Sequence, residues 1–269
     1  MELREKPINK RKELKVDNFT CKRLKEVFDN NNIKVQIRDF LSTKNPGLGK
    51  YLHYHAKTEE ANNYRAFYLI LDNEEIVMYF SLQMGATIKC RTKEIGGVIY
   101  DSKKEKYYID DDKIEVTSIV PVIEIPQLCV NDRYKNRVKS WKVNYKGNSY
   151  NVGHFVFYKH IVPIVLDVAE KVGFQYLILF CADNETGNLE KYYKKLGFKR
   201  MDNMACLRDE YSKDLECLII KIDDLISRHL TFENSGHYFF IITFKPFLYK
   251  LHFYCSITSI LSNTTYQKD

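Results

Sequence analysis

Four stretches decide the fold, and they follow one another. The first is Val122-Ile123-Glu124-Ile125-Pro126-Gln127-Leu128-Cys129-Val130, a β-rich run carrying one acid. The second opens with Val152-Gly153-His154, continues as an apolar run from Phe155 to Val172, and stops at Gly173. The third, Tyr176-Leu177-Ile178-Leu179-Phe180-Cys181, is a short continuous apolar run of the kind a buried strand shows. The fourth is Lys191-Tyr192-Tyr193-Lys194-Lys195-Leu196-Gly197-Phe198. There Leu189, Tyr192, Tyr193 and Leu196 share one helix face at i, i+3, i+4 and i+7, and Gly197 falls where a left-handed residue closes a helix. The series reads strand, helix, strand, short helix.

That order, with the closing Tyr-x-x-x-Gly-Phe phrase from Tyr193 to Phe198, resembles the GNAT acetyltransferase superfamily over about residues 31–225. The resemblance implies an α/β (α+β) fold: a mixed, mostly antiparallel central sheet with splayed central strands and flanking helices. It also implies an acyl-CoA-dependent N-acyltransferase that passes an acetyl group from acetyl-CoA directly to an amine. The family's Gln/Arg-x-x-Gly-x-Gly/Ala phosphate loop is absent. Only Val152-Gly153-His154 stands in its place, behind a longer loop.

Site residues follow from the chemistry. Acetyl transfer needs the thioester held extended and protons moved off the amine and onto the departing thiolate. In the family, the strand matching 122–130 parts from the strand matching 175–181, and pantetheine pairs with the exposed backbone, here near Leu128, Cys129 and Val130. The pyrophosphate would sit at the helix start formed by Val152, Gly153 and His154, where unpaired N–H groups and the helix dipole favour an anion. Lys135, Arg137, Lys139, Lys142 and Lys146 in the preceding loop would add positive charge. Asn184, just past the second strand, matches the segment lining the cofactor exit. The resemblance makes Tyr193 the group facing the sulfur and Glu124 the base, its apolar neighbours partly desolvating it. The plainer alternatives are packing for both tyrosines, an outward strand position for Glu124, a simple βα glycine at Gly153 and a structural role for His154. No metal set stands out, since the Asp110-Asp111-Asp112 triplet reads as a solvated turn.

The remainder of the chain sets limits. Its 269 residues are ample for a buried core. A formal charge of +7 suits an anionic ligand and is far below that of nucleic-acid specialists. The amine acceptor is therefore open among a small molecule, a protein and an aminoacyl-tRNA, with no strong nucleic-acid signal. The alternative reading is a non-catalytic module of the same fold that binds nucleic acid or a protein partner. Seven cysteines without a Cys-x-x-Cys pair give neither a zinc nor a disulfide framework, and the charged start is no secretory signal, so a cytoplasmic protein is expected.

Three segments are expected: a basic helical extension over 1–30, a GNAT-like domain over 31–230 and an aromatic extension over 231–269. Phe19, Leu24, Val27 and Phe28 give the first its helical stripe. Val35, Ile37, Phe40 and Leu41 suggest a short helix stopped by Asn45-Pro46-Gly47. Phe67–Leu71 and Ile76–Leu82 form a hairpin around Asp72-Asn73-Glu74-Glu75, and a small extra hairpin passes through Tyr107-Tyr108-Ile109. Pro163 should kink the long helix. The last extension is long enough to span a membrane, but Lys245, Pro246, Lys250 and His252 argue against insertion.

Overall fold

The computed structural model describes residues 11–90, 98–101, 106–109, 116–182, 186–200, 204–208 and 215–235. Met1–Gly236 make one compact unit. The expectations for the tail beyond it, and for Asp110 to Asp112, lie outside the described residues.

The chain begins with β1 (Phe19–Arg23), α1 (Leu24–Val27), α2 (Asn31–Arg38), α3 (Pro46–Tyr54) and α4 (Ala56–Ala61). Within the expected N-terminal helix, Phe19–Arg23 is a strand and Leu24–Val27 is helical. From Phe19 to Arg23 burial alternates residue by residue, a period of two, and the run pairs antiparallel with β2 (Ala66–Asp72). Pro46 starts α3 instead of ending α2, because the first helical position needs no N–H donor. The hairpin of β2 and β3 (Glu75–Cys90) forms as expected, with Asn73 left-handed in its two-residue turn. A small hairpin of β4 (Val98–Asp101) and β5 (Lys106–Ile109) follows.

Next come β6 (Val116–Ile125), β7 (Leu128–Val130), α5 (Asp132–Lys135) and the hairpin of β8 (Lys142–Tyr145) and β9 (Asn148–Asn151). The long helix runs as α6 (Val152–Val156), a π-helical turn at Phe157–Ile161 and α7 (Val162–Val172). Pro163 has no N–H to return to Lys159, and the turn carrying Lys159 is the wider π turn. The chain then gives β10 (Tyr176–Cys181), α8 (Asn188–Lys195), β11 (Lys199–Arg200), β12 (Met204–Arg208), β13 (Glu216–Lys221) and α9 (Ile222–Glu233).

The sheet is ordered β11-β13-β10-β6-β3-β12-β4-β5, with β1 on β2, and β2 and β7 on β3. Most pairs are antiparallel; β10 with β6 and β12 with β4 are parallel. The long helix and α9 cover one face through Phe155, Phe157, Ile161, Val165 and Phe232. Helices α2 to α4 cover the other through Ile33, Ile37, Leu52 and Ala56, packed on Phe67, Leu69 and Tyr79. The helix Val152–Val172 is long and apolar enough in composition to cross a membrane, yet 56% of its apolar window is buried inside the unit.

Candidate active site

A break in one strand creates the site. Residues 116–130 lie along β3 throughout, but Pro126 and Gln127 interrupt the ladder between β6 and β7. Ser81 N–H donates to the Gln127 carbonyl at 3.0 Å, and the Ser81 hydroxyl bonds the Gln127 side chain, so the interruption is fastened to β3. On its other side, β6 pairs in parallel with β10 only from Val122↔Tyr176 to Ile125↔Leu179. Beyond that point β7 follows β3 while Phe180 and Cys181 stay paired to β13. The two strands diverge there.

The parity of the ladder fixes which backbone groups face the divergence. Gln127 accepts from Ser81, and Asn131 N–H donates to the Val77 carbonyl at 2.9 Å, so odd-numbered residues turn their backbone toward β3. In an extended strand the neighbours turn theirs the opposite way. Leu128 and Val130 therefore present N–H and C=O toward β10, whereas Cys129 bonds to β3. Of the expected cofactor-binding set, Leu128 and Val130 fit a strand-like ligand through their backbones. Cys129 contributes its buried thiol to the far face, and burial pushes that thiol up to about 11.

Tyr193 closes the wedge. Helix α8 ends in a Schellman motif: Gly197, at φ +96°, donates to the Lys194 carbonyl at 3.0 Å, and Phe198 donates to the Tyr193 carbonyl at 3.1 Å. The Tyr158 hydroxyl donates to the Leu196 carbonyl at 2.8 Å, fixing this helix end to the long helix. Tyr193 is thereby buried at 7% exposure, near enough to feel both Cys181 on β10 and Cys129 on β7. Burial, then Tyr192 and these two cysteines, pushes its phenol above the ordinary range and keeps it protonated. Among the described residues its hydroxyl has no hydrogen-bond partner, which leaves it free to donate.

Glu124 lies on the opposite face of β6, half-buried, and its carboxylate accepts from Gln83 Nε2 at 2.8 Å. Gly85, on the neighbouring strand, lies close beside it: a Cβ there would meet Val122 Cγ2 at 3.1 Å and Glu124 Oε2 at 3.4 Å. Gln83 in turn accepts from Arg65 Nε at 2.6 Å, and Arg65 reaches the Tyr51 hydroxyl, which donates to Glu59. This chain of Glu124, Gln83, Arg65, Tyr51 and Glu59 escapes sequence reasoning. Its members come from four elements and the turn before β2, and no periodic pattern joins them.

The helix start is different from the expectation. Val152 N–H donates to the Trp141 carbonyl at 3.3 Å, and Gly153 N–H to the Asn151 side chain at 3.0 Å, so two of the three donors expected to meet a phosphate are already used. The space above Gly153 is filled as well, since a Cβ there would lie 2.5 Å from the Tyr192 hydroxyl. Gly153 is a close-packing glycine and not an opening. His154 is stacked with Tyr150 (centroids 5.4 Å, 18° between planes) beside Phe232, and burial lowers its pKa, leaving a neutral packing residue. Four of the five loop cations have partners of their own. Arg137 meets Glu75 at 2.9 Å, Lys139 meets Glu13 at 2.8 Å, and Lys146 meets Glu233 at 2.9 Å. Lys135 lies over the Trp141 ring. Asn184 lies outside the described residues. Among those residues, no group of three metal-ligating side chains occurs.

Split central strands on a mostly antiparallel sheet, with a long helix between them and a Gly-Phe-closed helix beyond, make this a GNAT-like fold. Among solved structures, it is similar to that of the AtaT toxin in a tyrosine-to-phenylalanine mutant. The identity is 13% over 79% of this chain and 94% of that one, with a TM-score of 0.54. A structure described as a bacterial toxin matches at 11% identity over 82% of this chain and 98% of that one, TM-score 0.52. The same AtaT mutant, bound to the C-terminus of the antitoxin AtaR and acetyl-CoA, matches at 13% over 79% and 98%, TM-score 0.49. No family model and no curated protein matches the sequence.

Proposed function

We infer that the chain is an N-acyltransferase taking an acetyl group from acetyl-CoA to an amine. The observation that carries this reading is Tyr193, buried beside the point where β7 and β10 part, with no hydrogen-bond partner for its hydroxyl among the described residues. A thioester supplies an activated acyl group and a thiolate leaving group. The Leu128 and Val130 backbones would hold the arm of such a donor as an added strand. Tyr193 would donate its proton to the developing charge on sulfur. Glu124, held by Gln83, would take the proton of the attacking amine directly or through water. Acetyl-CoA is the donor the sequence resemblance implies, and it is a ligand of the AtaT toxin whose fold this chain shares.

A second reading, a non-catalytic module that binds a protein partner, draws on one specific observation: the filled helix start at Val152 and Gly153. Calorimetric titration with acetyl-CoA separates the two. The enzyme reading expects a Kd below about 100 μM. No binding by a correctly folded chain would overturn it and leave the module.

A further inference from the structure

Two halves of a coenzyme A site meet different fates in this molecule. The half that would take the pantetheine arm keeps its strand edge: the Leu128 and Val130 backbones face away from β3, the Val130 carbonyl accepting weakly from Cys129 Sγ at 3.7 Å, and Tyr193 stands at the end of the wedge. The half that would take the nucleotide diphosphate is built over. Val152 N–H and Gly153 N–H are bonded inside the protein, the face of Gly153 carries the Tyr192 hydroxyl, and Tyr150 and Phe232 pack on His154. The insertion between β7 and the long helix explains why. Where a tight phosphate loop would run, this chain places α5 and the β8–β9 hairpin. That hairpin is stitched to α9 by Tyr145 to Glu233 at 2.8 Å and to the turn after α9 by Tyr150 to Ser235 at 3.0 Å.

The charges agree with the packing. Lys146 and Lys159 both converge on Glu233, at 2.9 and 3.1 Å, and Arg137 is drawn to Glu75. A cradle would direct such cations and the free N–H groups of the helix start at the phosphates. One charge-assisted backbone bond to a diphosphate raises affinity by roughly ten- to a hundredfold. Among the described residues, the Val152 and Gly153 donors and four of the five loop cations are engaged elsewhere.

Resting on the acyltransferase reading above, we propose that the donor site reads the pantetheine arm and not the nucleotide. Its donor class is acyl thioesters of pantetheine, whether the far end carries the nucleotide of coenzyme A or a carrier protein joined through one phosphodiester.

Calorimetric titration of the full chain with four probes tests this: acetyl-CoA, S-acetyl-pantetheine, an acetyl-phosphopantetheinyl carrier protein, and adenosine 3′,5′-bisphosphate as the isolated nucleotide end. Acetyl-CoA and S-acetyl-pantetheine should bind within about fivefold of each other, and millimolar adenosine 3′,5′-bisphosphate should not displace either. A carrier protein that binds more tightly than S-acetyl-pantetheine would identify the tethered source, and one that binds equally would identify coenzyme A; both results uphold the proposal. S-acetyl-pantetheine binding more than about fivefold more weakly than acetyl-CoA would overturn it while leaving the acyltransferase reading intact, as would displacement by the bisphosphate. Failure of all three thioesters would overturn the acyltransferase reading and this proposal with it.

Discussion

Phe198 N–H donates to the Tyr193 carbonyl at 3.1 Å, and the two rings meet edge to face with centroids 6.0 Å apart. One residue thus satisfies an orphan carbonyl at the end of α8 and sets the ring that enters the strand divergence. Tyr192, one step earlier on the helix, is turned about 100° away and puts its hydroxyl on Gly153 instead. The two tyrosines have separate tasks. Tyr193→Phe removes a hydroxyl with no partner among the described residues, so the melting temperature should not change. Turnover, followed as thiol release with an amine acceptor, should fall on the order of 10²-fold. Full activity in Tyr193→Phe, with the loss appearing in Tyr192→Phe, would assign the acid to the other ring.

Gly153 and Tyr192 give a prediction about packing. A Cβ at position 153 would lie 2.5 Å from the Tyr192 hydroxyl, closer than such contacts allow. Gly153→Ala should therefore cost about 1–3 kcal/mol of stability, the usual range for overpacking a filled site. Tyr192→Phe removes the clashing oxygen and should restore much of that loss in the double variant. Chemical denaturation of the four proteins measures the coupling, and strictly additive losses would show that the two residues do not press on each other.

Glu124 is tested through pH. If it takes the proton of the amine, Glu124→Gln should lower turnover most near neutral pH, where the acceptor is largely protonated. The deficit should shrink as pH rises and free amine accumulates. Gln83→Leu removes the donor that holds the carboxylate, together with the acceptor of Arg65, and leaves Glu124 itself in place, so it should give a smaller loss with the same pH trend. A mutant-to-wild-type ratio that stays flat across pH would remove Glu124 from proton transfer.

What the sequence made legible was local. The helix face from Leu189 to Leu196, its glycine stop and the Asn73 hairpin are written within a few residues of one another, where periodicity and turn chemistry act. The strand break at Pro126 was hidden because Val122 to Val130 is β-rich on both sides of it. The polar chain behind Glu124 was hidden by distance, its links spanning 41, 18 and 14 residues. Gly153 shows a third kind of limit. A glycine opening a helix signals that something approaches closely, but the visitor, Tyr192, belongs to another helix. The same gap separates Phe19 to Arg23 from a helical reading: the alternation was present, but its partner strand β2 gave it meaning.

Acid should lower the stability of the protein in two pH windows, set by His160 on the long helix and Glu233 on α9. His160 is held down to about 4, first by burial and then by the Lys159 charge, and its Nε2 is buried without a partner. Because its folded value lies below the ordinary 6.5, the unfolded chain binds the proton more readily, and stability is lost as pH falls from 6.5 toward 4. Burial alone would raise Glu233, but hydrogen bonds from Lys146, Tyr145 and Lys159 outweigh it and hold the carboxyl at about 2. Its contribution is whole above 4.5 and is lost as pH falls from there toward 2. Each window should be worth on the order of 2–3 kcal/mol, since one pKa unit is about 1.4 kcal/mol and neither group is fully screened from water. Denaturant unfolding from pH 7 to pH 2 resolves them. His160→Leu should flatten the upper window and leave the lower one, whereas Glu233→Gln should lower stability at pH 7 and converge with wild type as pH approaches 2. An unchanged slope between pH 6.5 and 4 in His160→Leu would show that His160 charges without cost in the folded protein.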